Sequence, residues 1–481
     1  MRRVAPAPAD RPARAVGAVE RRHVLVAGLG ISGIAAAQAA TSAGAEVRVH
    51  DASPAALARA RAVLGDAVTV VDDPEAALRT GAVDVVVASP GLAPSTPVLA
   101  AAAAAGVQIW SEPELAWRLL DGRTRILAVT GTNGKTTTTE LLAACLGVPA
   151  VGNIGRPLSA LIDDPPPTVV AELSSFQLHF THTLRTDVGV LLNVADDHLD
   201  WHGDRAAYGA AKARIWRGQR ASGAAGLRGS DWAVVNRDDA GAATVASRNA
   251  PPAASAGFTL GPPPAGGVGV VDGALAERLT GRQPTPVIGV DALGVTGPHN
   301  VANAAAAVAA AVAAGATPAA LARPLAAARV GAHRLETVAD VDGVRWVNDS
   351  KATNPHAAAA ALRSFDSIIW IAGGLAKGVS FAPLASDVAS RVRLALTIGT
   401  SGRDLAGFAG AQGAEAVEAR DLDTAVALAA DRARPGDVVL LAPACASMDQ
   451  FTDYAERGSR FRELVSAAVT RIGAALPGDG S

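Results

Sequence analysis

The sequence predicts an α/β chain of three domains in series. Apolar strand patterns alternate with alanine-rich helical stretches along 481 residues, the signature of strand–helix–strand units. Two of the strand-to-helix turns are glycine-rich, which marks backbone brought close to a ligand. No fixed internal period of about 20 to 50 residues is evident, so the chain is not a solenoid. A chain this long exceeds what one core serves, and two or three domains with large cores are expected.

Residues 1–20 (MRRVAPAPADRPARAVGAVE) are Arg-, Ala- and Pro-rich and lack the apolar stretch of a secretory signal. Asp10, Glu20 and the prolines favour a disordered extension over an Arg-rich transit peptide. Residues 21–121 open with HVLVAGLGISGIAAAQAATSAGAEVRVHD, a strand, a turn, a helix and a second strand, followed by VDVVVASPG and VQIWS. This is a Rossmann-like pattern, and Asp121-Gly122 reads as the linker after it.

Residues 122–330 begin again with TRILAVTGTNGKTTTTELLAACL and continue with PTVVAELS and DVGVLLNV. The stretch 217–296 is rich in Gly, Ala and Pro with short strands such as DWAVVN and GVGVV, and predicts a loop-rich edge. NVANAAAAVAAAVAAG then closes the domain as a helix. Residues 331–481 carry the strands VRWVNDS, SIIWIAGG, LALTIGT and DVVLLAPAC, a second Rossmann-like set.

Composition narrows the function classes. The formal charge of −2 and the absence of long like-charge runs argue against a nucleic-acid or polyanion partner. Alanine runs such as LAAAAAAGV are too weakly hydrophobic to span a bilayer, so no membrane insertion is expected. Cys145 and Cys445 lie far apart without CxxC spacing, which points to a reducing, cytoplasmic compartment.

Only four lysines occur, Lys135, Lys212, Lys351 and Lys377, among 43 basic residues. Where arginine has taken most cationic positions, a retained lysine marks chemistry arginine cannot do. A compact ammonium fits against phosphate and can lose a proton and be acylated, whereas a guanidinium cannot.

The turn Gly131-Thr132-Asn133-Gly134-Lys135-Thr136-Thr137 follows a strand and opens a helix, where free N–H groups and the helix dipole favour phosphate. It reads as a P-loop with Val129 in place of the first glycine: Lys135 would reach the β and γ phosphates and Thr136 would hold Mg²⁺. Glu172 in AELSSFQL follows a strand and suits a hard cation. His198 in NVADDHLDWHG is weak evidence alone, because a loop histidine is commonly a surface residue. In the first domain Gly28-Leu29-Gly30-Ile31-Ser32-Gly33 with Asp51 reads, taken alone, as a dinucleotide fingerprint, but a lone GxGxxG is a weak signal.

Taken in order, GTNGKT, GNIG, ELSSFQL, NVADDHLD, YGAAKARIW, GPHNVANAAAA, AHRLE, NDSKATNPHAA and APACASMDQF resemble the motifs of the Mur ligases over roughly residues 22–465. The resemblance implies ATP-dependent addition of D-glutamate to UDP-N-acetylmuramoyl-L-alanine through an acyl phosphate, by a monomer. It implies two Mg²⁺ sites, with Thr136 and Glu172 at one and His198 and a carbamylated Lys212 at the other; these, with Lys135, form the catalytic set. ATP would be held by residues 131–137, Asn303, Arg334, Asp349 and Lys351.

By the same resemblance, Gly30, Ile31, Ser32, Asp51, Ser89, Gly91 and Asn153 would bind the UDP-substrate. Thr353, Lys377, Ser447, Met448 and Tyr454 would hold D-glutamate. Tyr454 stands where many relatives have phenylalanine and Ala376 where many have aspartate, departures that bear on amino-acid affinity. The rivals are a sister ligase or folylpolyglutamate synthase adding another amino acid, a non-catalytic nucleotide-binding regulator and a nicotinamide dehydrogenase. A DNPR motif, usual in ligases adding a diamino acid, is absent.

Overall fold

The structure, a computed structural model, describes residues 19–220, 231–329, 331–376 and 378–475. Most of the expected N-terminal extension, part of the 217–296 stretch and Lys377 lie outside the described residues. Among the described residues three sheets form, one per expected α/β run.

The first is a five-stranded parallel sheet in the spatial order Val68–Val70, Glu46–His50, His23–Ala27, Val85–Ala88, Gln108–Ser111. Strand order reverses between His23–Ala27 and Val85–Ala88, and ligands of such sheets bind beyond the carboxyl ends at that point. Gly28–Gly33 and Ser89 sit there.

The second sheet has nine strands in the order Thr285–Gly289, Ala274–Glu277, Gly267–Val271, Ala254–Phe258, Trp232–Asn236, Val188–Leu191, Arg125–Thr130, Thr168–Glu172, Ala150–Gly152. All neighbours pair in parallel except at the two outermost strands. Five of these strands come from the stretch that the sequence predicts to be loop-rich. They are short, and Pro286 falls on the edge strand, where a missing N–H is tolerated. Helix Pro298–Ala313 is buried along nearly its whole length and packs against helix Lys135–Leu146 and the sheet. Alanine makes that approach close, since it adds one methyl per residue to the interface.

The third sheet runs Glu336–Val341, Val344–Asn348, Val438–Leu441, Ile368–Gly373, Val392–Ile398, Glu415–Arg420, parallel after an antiparallel first pair. Its four inner strands are largely buried, with aliphatic residues and Trp346 and Trp370 filling two cores, while the outermost strands Glu336–Val341 and Glu415–Arg420 are partly exposed.

The chain groups into two compact units. One runs to Val194 and resumes from Trp201 to Ala328; the other takes Ala195–Asp200 and Arg329 onward. Within the first unit, Glu114 ties the first two sheets together. Its buried carboxylate accepts N–H bonds from His182, Thr183 and Leu184 and the Thr183 hydroxyl, and pairs with Arg118 at 2.8 Å. Burial alone would raise this carboxyl, but those donors outweigh it and hold the group below the usual carboxylate range.

Candidate active site

The phosphate turn is built where strand Arg125–Thr130 feeds helix Lys135–Leu146. Gly134 has φ +81°, and a Cβ there would run into the side chain of Asn303 from the buried helix. Glycine is therefore required by both the backbone and the packing. Asn303, which the resemblance places among the ATP contacts, sits against the turn itself.

Asn193 clamps the turn from the neighbouring strand end: its Oδ1 accepts the Asn133 N–H at 2.8 Å, its Nδ2 donates to Asn133 O at 3.1 Å, and its carbonyl accepts the Thr132 N–H at 3.0 Å. The Lys135 ammonium folds back on the turn, donating to Gly131 O at 2.9 Å and Thr132 O at 2.8 Å.

Lys212 arrives at the same carbonyl from helix Arg205–Ala213. It is 1% exposed, donates to Gly131 O at 2.8 Å and lies over the Tyr208 ring at 4.4 Å. Tyr208, one turn earlier, meets the Thr132 hydroxyl at 3.1 Å. Two of the four lysines therefore converge on one backbone oxygen, a concentration of positive charge suited to a polyphosphate.

Beside the turn, the Thr136 hydroxyl donates to Glu172 Oε2 at 2.6 Å, and Asn153 Nδ2 donates to Glu172 Oε1 at 2.8 Å. Glu172 is buried at the end of its strand, with both oxygens held. A hydroxyl and a carboxylate are hard oxygen donors of the kind Mg²⁺ takes, leaving its remaining positions to water and phosphate. Among the described residues no cluster of three or more His, Cys, Asp or Glu suits a metal.

The first-domain turn is held differently. Gly28 has φ +85°, and the Ser89 hydroxyl donates to its carbonyl at 2.8 Å. Asp51 accepts the Leu29 N–H at 2.6 Å and the Ser53 N–H at 2.8 Å. Gly30, Ile31, Ser32 and Gly91 lie near these groups in sequence, and Ile31 is 79% exposed at the helix start.

In the second unit, three parallel strands end side by side, and the loops that follow carry the expected amino-acid and nucleotide contacts. Lys351 Nζ lies 3.7 Å over the Tyr454 ring; Thr353 donates its N–H to Lys351 O. Ser447 is buried, its carbonyl accepting from Gln450 and Phe451, while Met448 is exposed. Burial pushes the Asp349 carboxyl up to about 7, against the Leu335 N–H and Arg334.

His198 belongs to the segment Ala195–Asp200, which groups with this unit. It has φ +53°, donates its N–H to Asp197 Oδ1 at 3.0 Å, and has its Nε2 3.6 Å from Oδ2. The structure thus brings Lys135, Thr136, Glu172 and Lys212 together in one unit and holds His198 in the other. Asn193, Tyr208 and Arg457 (below) were not singled out by sequence. Asn193 opens the NVADDHLD motif, and Tyr208 stands one helical turn before Lys212, so a hydrogen-bonding role was signalled by position alone.

The N-terminal domain of Mur ligase MurD-like proteins matches residues 22–111, the Mur ligase middle domain 129–311 and the Mur ligase glutamate ligase domain 333–445. UDP-N-acetylmuramoylalanine–D-glutamate ligase of Frankia casuarinae is 47% identical, covering 92% of this chain and 94% of the relative. The ligase of the same name from Streptomyces coelicolor is 43% identical, covering 92% and 98%.

The chain belongs to the Mur ligase family. Among solved structures, MurF from Acinetobacter baumannii has a TM-score of 0.58 at 17% identity, covering 94% of this chain and 92% of that one. A pseudomurein peptide ligase type C from Methanothermus fervidus has 0.56 at 16% identity, covering 93% and 100%. At these identities the likeness concerns the Mur ligase fold alone. No helix among the described residues is long and apolar enough to cross a membrane.

Proposed function

We propose that the chain joins D-glutamate to UDP-N-acetylmuramoyl-L-alanine, converting ATP to ADP and phosphate, in peptidoglycan precursor synthesis. The observation that carries this is the Thr136–Glu172–Asn153 corner beside Lys135 in a chain 47% identical to a named D-glutamate ligase along nearly its whole length.

In this reading residues 21–121 bind the UDP-substrate, 122–330 bind ATP and 331–481 contact the amino acid and nucleotide. The turn Gly131–Thr137 presents its N–H groups and helix N-terminus to the phosphates of ATP, and Lys135 leaves its carbonyl partners for the β and γ oxygens. The alanyl carboxylate attacks the γ phosphorus and ADP departs. The D-glutamate amine then attacks the acyl carbon, loses a proton, and the tetrahedral adduct expels phosphate. Activation is needed because an oxide is a poor leaving group and a phosphate a good one.

Thr136 and Glu172 would hold one Mg²⁺, with Asn153 fixing the carboxylate so that it does not have to reorganise. Bound there, the ion would neutralise phosphoryl oxygens as charge redistributes. As an ammonium, Lys212 repels a cation; as a carbamate, formed by attack of the neutral amine on CO₂ with loss of a proton, it would offer a second Mg²⁺ a carboxylate-like ligand. The chain acts as a cytoplasmic monomer in this reading, and its two free thiols suit a reducing compartment.

The test is phosphate release from ATP with UDP-N-acetylmuramoyl-L-alanine and each amino acid in turn. Release should require D-glutamate; efficient turnover with L-lysine or meso-diaminopimelate instead would overturn the assignment.

A further inference from the structure

Arg457 is 1% exposed, yet the mechanism above gives it no task. It lies in helix Tyr454–Ala475 and points under the three loops at the carboxyl ends of the third sheet. Its Nε donates to Ser350 Oγ at 3.0 Å; Nη2 donates to Ser350 O at 3.0 Å and Cys445 O at 3.2 Å; Nη1 donates to Cys445 O at 3.3 Å, with Gly373 O at 3.5 Å. The Ser350 hydroxyl in turn donates to Tyr454 O at 2.8 Å.

One guanidinium thus stitches NDSKATN, the end of SIIWIAGG and APACAS into a single surface. Every partner is neutral. Among the described residues no carboxylate lies within ion-pair distance of Arg457, and the Asp449 carboxylate, the acid that bears on it electrostatically, is engaged by the Thr400 N–H at 2.9 Å.

A buried cation costs desolvation energy that neutral carbonyls return only in part. That cost is visible in the guanidinium, which burial lowers to about 10 while the Cys445 thiol and Asp449 raise it. A tie between loops needs only donors, which a neutral amide could supply. A full positive charge that touches no carboxylate and feels Asp449 only beyond ion-pair distance is complementary to an anion that arrives later.

Resting on the reading that D-glutamate is the amino acid, we infer that Arg457 is a positioning residue for that dicarboxylate: it fixes the loops bearing Thr353 and Ser447 and supplies the buried positive potential its carboxylates meet. It touches no reacting atom. Its effect should fall on amino-acid affinity and leave carboxylate activation alone, because acyl phosphate forms before the amine takes part.

The experiment compares the full-length wild type with R457M, which removes charge and donors, R457K, which keeps charge but loses the fork, and S350A, which keeps the charge and unties one loop. Michaelis constants are measured for D-glutamate, ATP and UDP-N-acetylmuramoyl-L-alanine, with melting temperatures. Acyl phosphate formed without D-glutamate is trapped by hydroxylamine as the hydroxamate.

R457M should raise the D-glutamate constant roughly ten- to hundredfold, the size of a lost charge-assisted interaction, with R457K and S350A between it and wild type. Constants for the other two substrates and hydroxamate yield should hold. A D-glutamate constant within about twofold of wild type, or all three constants moving together, would overturn the inference. Should R457M fail to fold, R457K decides on the same criterion, since lysine cannot make the forked contacts. Wild type that releases no phosphate with D-glutamate overturns the functional reading itself, a distinct outcome.

Discussion

Two glycine-rich turns follow the first strand of two successive sheets, and they differ in what occupies their backbone groups. The turn at Gly28 gives its Leu29 N–H to a carboxylate, Asp51, and its carbonyl to a serine. The turn at Gly131 gives its Asn133 N–H to a neutral amide, Asn193, and draws two ammonium groups to one carbonyl. The first carries negative charge at its donors; the second carries none there and two positive charges nearby. Only the second is arranged to gather a triphosphate. Glycine spacing tells where the backbone can approach a ligand, whereas the side chains that reach it from elsewhere decide which ligand.

That contrast is open to breakage, beginning with the largest effect. Lys135→Ala should lower phosphate release by about a thousandfold, the scale of a lost transition-state charge contact, while calorimetry shows UDP-substrate binding retained. Equal loss of both would mean that the two turns are not separate devices. Lys212→Ala should be nearly inactive and regain turnover as formate or acetate is titrated at fixed ionic strength, whereas Lys212→Arg should stay inactive throughout. Substantial activity in the arginine variant would show that the position needs only a cation.

Asn193→Ala removes two hydrogen bonds from the second turn and should raise the ATP Michaelis constant roughly tenfold with the UDP-substrate constant unchanged. Asp51→Asn should do the reverse, weakening UDP-substrate binding only. Its amide can accept one of the two N–H groups, so a loss of about 1–3 kcal/mol in stability is expected by denaturant titration.

The smallest effect on activity concerns the joint between the two sheets. Glu112 is buried, accepts the Ser159 N–H, and is pushed by burial up to about 7. In the unfolded chain it ionises near 4.5, so its contribution is fully present below that pH and is lost as pH rises through about 7. Glu112→Gln mimics the protonated form. Its melting temperature should match wild type near pH 4.5 and exceed it at pH 8, by a stability gain on the order of 2 kcal/mol; a constant difference across that range would count against a neutral buried Glu112.

Much of this molecule was legible in the sequence. The three α/β runs behind the three sheets followed from apolar runs and glycine turns, whereas the Thr136–Glu172 pairing came from the resemblance of the ordered motifs to the Mur ligases. What escaped reading was tertiary. Of the five strands within residues 231–289, DWAVVN and GVGVV were legible as short strands and the other three were not, because Gly, Ala and Pro there mimic loop composition and so short a strand shows little alternation. Arg457 looks like any helix arginine until three loops close over it. Asn303, an ATP contact by resemblance, gains its place beside Gly134 only through the packing of its helix.

Glu114 has one more consequence. By gathering the amides of residues 182–184 it fastens the helix that leaves the first sheet to the chain that enters the second, within one unit of the fold. In the reading proposed above, the reach from a UDP-substrate on the first turn to ATP on the second is then set inside that unit, so the length of the precursor would bear on its activation as well as its end group.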